Sequence, residues 1–272
     1  MTGLMDPRAA SGHTPWMRPD APEAAAPTRR RRTWLVLTVW FVTSAVSAMA
    51  LLALQPVIGL SMEILSLVML APGIGAAITW LTVRKDLPTA IPAVSGGRFT
   101  VAMGLSIGTV VVYFGSIYVF RGVLPEVPAE VAGMSVLVMI LAQAVGALTE
   151  EIGFRGVLFD AIGVRVPRAV TAILVGLLFG FWHVQYFALP VGQHAMFIIG
   201  TVALTITMAY VMVGSFWQRM AVCTVIHLGA NLALAFTGGE STSMVVFGMA
   251  VAIGCLMVTP VAVLIGRRDR RS

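Results

Sequence analysis

Glu150 and Glu151 are adjacent carboxylates, followed four residues later by Arg155, at the end of an apolar run from Val131 to Leu148. That run is long enough to lie in a lipid bilayer. A charged side chain at membrane depth costs roughly 3 kcal/mol or more, so such residues mark a functional interior by default. Glu151 and Arg155 are spaced to share one helix face, where pairing offsets part of the cost of both charges. Glu150 is rotated by about 100° from Glu151 and points elsewhere. Two carboxylates with separate partners can hold different protonation states, the arrangement that acid–base chemistry uses. A purely structural charge cluster locking helices together is the competing reading.

The remaining polar outliers within apolar runs are few: His183, Gln185, His227 and Asn231, with Glu63 at a margin. Phe179 and His183 share a helix face by their i,i+4 spacing, as do His227 and Asn231. Taken singly, each is also what a hydrogen-bonded core histidine or an interhelical pair looks like. Gly229 and Ala230, between His227 and Asn231, leave room for a substrate or another helix to approach. His194 falls at the outer end of a Pro-Gly turn and reads as an interfacial residue.

The elements that must position these groups are membrane spans. The chain has 272 residues, of which 58% are hydrophobic and 11% charged, and a mean hydropathy of +0.91. This describes a polytopic membrane protein, an all-α bundle, rather than a soluble domain. Apolar runs predict eight spans, at about 34–54, 58–82, 100–120, 131–158, 169–189, 195–214, 219–236 and 244–265. Residues 1–28, rich in Ala, Pro and Arg, read as a disordered cytoplasmic tail. Residues 29–272 read as one membrane domain. The basic stretch at 29–32 before an apolar run resembles a signal peptide, but the leader and the apolar core are both too long, so an uncleaved first span is expected.

Net charge is +6, and its placement argues against nucleic acid as a partner. With eight spans, every basic residue except Arg121 falls on one side, while Glu126, Glu130 and Glu240 lie on the other. The positive-inside rule makes the basic side cytoplasmic and puts both termini there. Cys223 and Cys255 lie within apolar runs and read as small buried hydrophobes. Gln55-Pro56 predicts a turn into the second span, with Glu63 one helical turn inside that span. Pro72-Gly73 predicts a kink in it. Gly104 and Gly108 predict a close helix contact, and the uncharged last span reads as scaffold.

The fourth and fifth spans predict a hairpin around 163–167. Measured from that turn at about 1.5 Å per residue, Glu150 lies roughly 20 Å and His183 roughly 28 Å along the two arms. His227 and Asn231 lie about 12 and 18 Å from the Arg219 end of the seventh span. All four can therefore meet in the middle or inner half of the bilayer.

The set E-E-x-x-x-R, F-x-x-x-H and H-x-x-x-N, in this order on three spans, resembles the motifs of the CPBP or abortive-infection family of CAAX prenyl endopeptidases and bacteriocin-processing enzymes. Glu150, Glu151 and Arg155 match the first motif, Phe179 and His183 the second, His227 and Asn231 the third, giving a motif core over 149–231. The resemblance implies an intramembrane endopeptidase acting on a peptide or protein substrate delivered through the membrane, CAAX-like or carrying a leader peptide. It implies an integral, multi-pass protein of the cell membrane.

Amide hydrolysis needs a water, a base and donors to a tetrahedral oxyanion. Glu150 suits the base, with His183 helping to hold the water. His227 and the Asn231 amide suit the oxyanion, and Glu151 and Arg155 orient the site. The expected mechanism uses no cofactor. Zn²⁺ held by Glu150, His183 and His227 is the alternative, although there is no H-E-x-x-H helix. A transporter or proton relay would use buried Glu and His too, but the polar groups do not repeat symmetrically in two halves. A non-catalytic immunity or scaffold protein is the third possibility.

Overall fold

Burial of apolar faces against one another and against lipid organises this chain into helices throughout, joined by short connections. The computed structural model describes residues 27–237 and 241–268. All but the last two residues of the expected tail lie outside the described residues, as does Glu240. The helices are α1 (Pro27–Ile58), α2 (Ala71–Val83), α3 (Gly96–Arg121), α4 (Val136–Glu151), α5 (Phe159–Gly163), α6 (Arg168–Trp182), α7 (Val191–Val211), α8 (Phe216–Phe236) and α9 (Ser241–Arg268). A π-helical segment, Ile152–Leu158, joins α4 to α5 in one continuous rod. The only strands among the described residues, β1 (Glu130–Val131) and β2 (Met134–Ser135), form a small antiparallel hairpin before α4.

Among the described residues, seven helical stretches are long and apolar enough to cross a membrane, and the eighth, Arg168–Trp182, is shorter. The chain is thus an all-α polytopic bundle. Helix α4 packs on α8, α6 on α7, α7 on α9, and α3 on both α8 and α9, while α1 and α2 cover the π segment. The basic ends come together: Arg32 pairs with Asp86 at 3.1 Å, Arg165 reaches Thr33 at 3.3 Å, and Arg219 makes a bidentate pair with Asp160 at 2.7 Å. These contacts join the ends of α1, α2, α5, α6 and α8 on one side of the bundle. The expected α4–α6 hairpin turns at 163–167 as the sequence predicts.

Five local expectations are corrected. Helix α1 runs through Gln55-Pro56 to Ile58 and stops at Gly59, whose φ of +73° favours glycine. Gln55 does not turn the chain; it is buried and holds the following loop. Its amide donates to the Leu60 and Leu65 carbonyls at 2.7 and 3.1 Å, and its oxygen accepts from the Leu67 N–H at 2.6 Å. Glu63 consequently lies exposed in a turn rather than in a span. Pro72 does not kink α2 but stands in its first turn, where a missing N–H is harmless. Gly104 and Gly108 approach no helix, since a Cβ on either would meet nothing within 4 Å. The fifth span ends at Trp182, seven residues early, because the chain breaks there into a 3₁₀ turn, Val184–Ala188.

Candidate active site

The carboxylate pair ends α4, and the chain immediately widens into the π segment. The N–H of Phe159 bonds the carbonyl of Phe154, five residues back. Such wide turns recur at functional sites because they re-aim side chains within a continuous helix. Gly153 allows the widened turn to lie against α2: a Cβ there would stand 2.5 Å from the Pro72 Cβ and 2.7 Å from its carbonyl oxygen. The same carbonyl accepts the Trp40 indole N–H at 3.2 Å, so α1, α2 and the π segment meet at one peptide.

Arg155 and Glu151 are both fully buried, and Arg155 Nη1 donates to Glu151 Oε1 at 2.9 Å. The sequence-predicted pair therefore forms, although across a π turn rather than an α turn. Arg155 Nη2 donates to Thr205 Oγ1 on α7 at 2.7 Å, and the guanidinium lies 4.5 Å from the centre of the Phe179 ring on α6. Charge, hydroxyl and aromatic face together compensate a buried cation.

His227 on α8 sits between the two carboxylates. Its Nδ1 donates to Glu151 Oε1 at 2.7 Å. That oxygen is an acceptor only, since it already receives the arginine. Nε2 lies 3.5 Å from Glu150 Oε2. The expectation that the two glutamates have separate partners is thus corrected: both face one imidazole, one at each nitrogen. The reason is that the ring bridges the rotation between successive helix positions.

His183 is placed by the end of α6. It occupies the helix C-cap, where the Phe179 carbonyl has no helical N–H to accept, and its ring Nδ1 donates to that carbonyl at 2.8 Å. A carbonyl only accepts, so Nδ1 carries the proton and Nε2 keeps a lone pair in the neutral ring. Counted from the true start of α6 at Arg168, His183 lies about 22 Å along its arm, close to the roughly 20 Å of Glu150. The Phe179 ring touches both histidines, at centroid distances of 4.8 Å to His183 and 5.3 Å to His227. Phe154 and Trp40 extend the aromatic stack behind it.

A cavity of about 50 Å³ opens beside His183, His227 and Asn231, above the roughly 10–15 Å³ that one water requires. Tyr186, Phe197 and Phe247 line it as well, so α9 supplies a wall of the site and is more than scaffold. Asn231 Nδ2 donates to Gln143 Oε1 at 3.3 Å. Gly229 brings a helix rather than a substrate close, because Val110 of α3 fills the space in front of it. Gln185 is exposed on the 3₁₀ turn, and His194 packs edge-on to Phe187 at the start of α7.

Among the described residues, no three His, Cys, Asp or Glu side chains are arranged to hold a metal ion. Both ring nitrogens of His227 face carboxylates, whereas His183 donates Nδ1 to backbone and keeps Nε2 open.

Sequence reasoning missed Gln143, Thr205, Tyr186 and Gln55. Gln143 had a usable signal, being seven residues before Glu150 and hence on the same helix face. Thr205 had none, because a threonine in a span ordinarily bonds its own helix, as this one also does to the Thr201 carbonyl.

A search among curated proteins finds no match to the chain. Residues 132–233 match the family described as type II CAAX prenyl endopeptidase Rce1-like. The matched stretch runs from the β-hairpin to the end of α8 and holds every residue of the three motifs. Over residues 132–233 this chain is therefore similar to the Rce1-like type II CAAX prenyl endopeptidases, a likeness that supports a CPBP family protease.

Proposed function

We propose that the chain hydrolyses a peptide bond near the end of a membrane-delivered substrate, with Glu150 as general base to a water. The single observation that carries this reading is the placement of Glu150 and Glu151 on the two nitrogens of His227. Glu151 is committed to Arg155, whereas Glu150 has no hydrogen bond shorter than its 3.5 Å approach to Nε2. That gap leaves the Glu150 carboxylate available for a water. The lone pair on His183 Nε2 is suited to hold the same water.

Glu150 takes a proton from the water as the oxygen bonds to the substrate carbonyl, and returns it to the amine nitrogen when the C–N bond breaks. Glu151 holds the His227 ring through Nδ1, which leaves Nε2 on the side of Glu150 and the reacting carbonyl. The second Nδ2 hydrogen of Asn231 supplies a donor to the oxyanion. The basic end of the bundle faces the cytoplasm of a cell membrane in this reading, with both termini there.

The test is cleavage of C-terminal peptides, farnesylated and unmodified, by the purified chain in liposomes. Glu150→Gln, nearly the same shape, is expected to abolish turnover with an unchanged unfolding temperature. Wild-type turnover in that variant would remove Glu150 from the chemistry.

A further inference from the structure

Asn231 is useful as an oxyanion donor only if its nitrogen, rather than its oxygen, faces the reacting carbonyl. A carboxamide can be turned either way, and nothing in Asn231 itself decides. The decision is made outside the motifs. The Ile64 carbonyl can only accept, and Gln143 Nε2 donates to it at 3.1 Å. With its nitrogen committed, Gln143 must present Oε1 on its other side, where it accepts from Asn231 Nδ2 at 3.3 Å. One backbone carbonyl thereby sets the sense of two successive amides.

Ile64 is itself held. It is buried in the loop 59–66, whose flanking groups at Leu60, Leu65 and Leu67 are all bonded by Gln55. Thr149, next to Glu150, donates to the Met69 carbonyl just beyond this loop at 2.9 Å. The loop between α1 and α2 is therefore fastened to α4 on both sides of the residues that face the site. This loop lies outside the stretch 132–233 that matches the protease family.

We infer that Gln143 is a positioning residue, which orients the Asn231 amide for the oxyanion by taking its own orientation from the Ile64 carbonyl. This rests on the reading of Asn231 as an oxyanion donor. Gln143 touches no reacting atom; it acts through Asn231.

A double-mutant cycle in the liposome assay tests it. Gln143→Leu removes both bonds and is expected to lower kcat by about 10- to 100-fold, with KM changed less than about twofold, as for a misplaced catalytic group. Asn231→Ala is expected to lower kcat by about 100-fold. Because Gln143 acts only through Asn231, the double variant is expected to be no slower than Asn231→Ala alone. Gln143→Glu keeps an acceptor for Asn231 but loses the donor to the Ile64 carbonyl, and is expected to recover part of the loss. Independent, multiplying losses would overturn the inference, as would wild-type kcat in Gln143→Leu.

Unfolding temperatures of each variant separate lost protein from lost rate, and the Glu rescue still decides if Gln143→Leu folds poorly. Glu150→Gln in the same assay keeps the two readings apart. If it is inactive while Gln143→Leu matches the wild type, only the positioning role falls. If Glu150→Gln turns over normally, the hydrolytic reading of the site falls, and this inference with it.

Discussion

His227 Nδ1 and Arg155 Nη1 converge on the same oxygen of Glu151, at 2.7 and 2.9 Å. A single buried carboxylate oxygen thus joins α4, the π segment and α8, and it fixes which face His227 turns toward Glu150. Glu151→Gln keeps the shape and removes the charge. It is expected to lower kcat about 100-fold or more, since the charged acceptor that holds both His227 and Arg155 is lost, while KM changes little. Steady-state kinetics on peptide substrate in liposomes check this; a change confined to KM would assign Glu151 to substrate binding.

Arg155 carries a stability role that can be measured apart from activity. Removing it in Arg155→Ala leaves Glu151 buried, charged and short of a partner, a situation that costs about 3–5 kcal/mol. The expected result is a clear drop in thermal or denaturant stability in detergent. Thr205→Val, which removes only one hydrogen bond to the guanidinium, is expected to cost about 1.5–3 kcal/mol at most. Equal stability of Arg155→Ala and wild type would mean that Glu151 does not depend on the ion pair.

Gly153 permits the close approach of the π segment to Pro72. Gly153→Ala places a Cβ 2.5 Å from the Pro72 side chain and 2.7 Å from its carbonyl oxygen, and backbone cannot yield as a flexible side chain does. A loss of about 1–3 kcal/mol is expected from the overpacking, with activity falling as α2 is pushed from the segment that carries Arg155. Gly104→Ala on α3, where the space is open, is the matched control and is expected to be neutral or slightly stabilising.

Chelation separates the two mechanisms that the sequence leaves open. If Glu150 and His183 act directly on a water, dialysis of the purified protein against 1,10-phenanthroline is expected to leave turnover unchanged. Loss of activity restored by Zn²⁺ and by no other divalent ion would instead show that the donor set closes around a metal.

Much of the candidate site is legible in the chain because its signals are local and costly. Charges and imidazoles in apolar runs are expensive, so Glu150, Glu151, Arg155, His183, His227 and Asn231 stand out without any tertiary knowledge. The i,i+4 spacing of Glu151 and Arg155 predicts their pair for the same reason. The failures share a different cause. Pro72 reads as a kink and Gln55-Pro56 as a turn because proline marks a boundary without saying which side of it is helical. Gln143 was passed over because an uncharged amide in a span costs too little to draw attention.

By itself, then, the amino-acid sequence determined the class of fold, the spans that carry the motifs and the residues able to do chemistry, since each follows from periodicity, length or the energetics of burial. Which groups share a partner was decided only in three dimensions. Helical spacing separates Glu150 from Glu151, yet an imidazole arriving from α8 meets both, because one side chain can span the angle between neighbouring positions. The π segment, the C-capping of α6 by His183 and the amide relay from Ile64 through Gln143 to Asn231 depend likewise on backbone groups left free at helix ends and loops. Those groups are the same in every residue, so no pattern of side chains announces them.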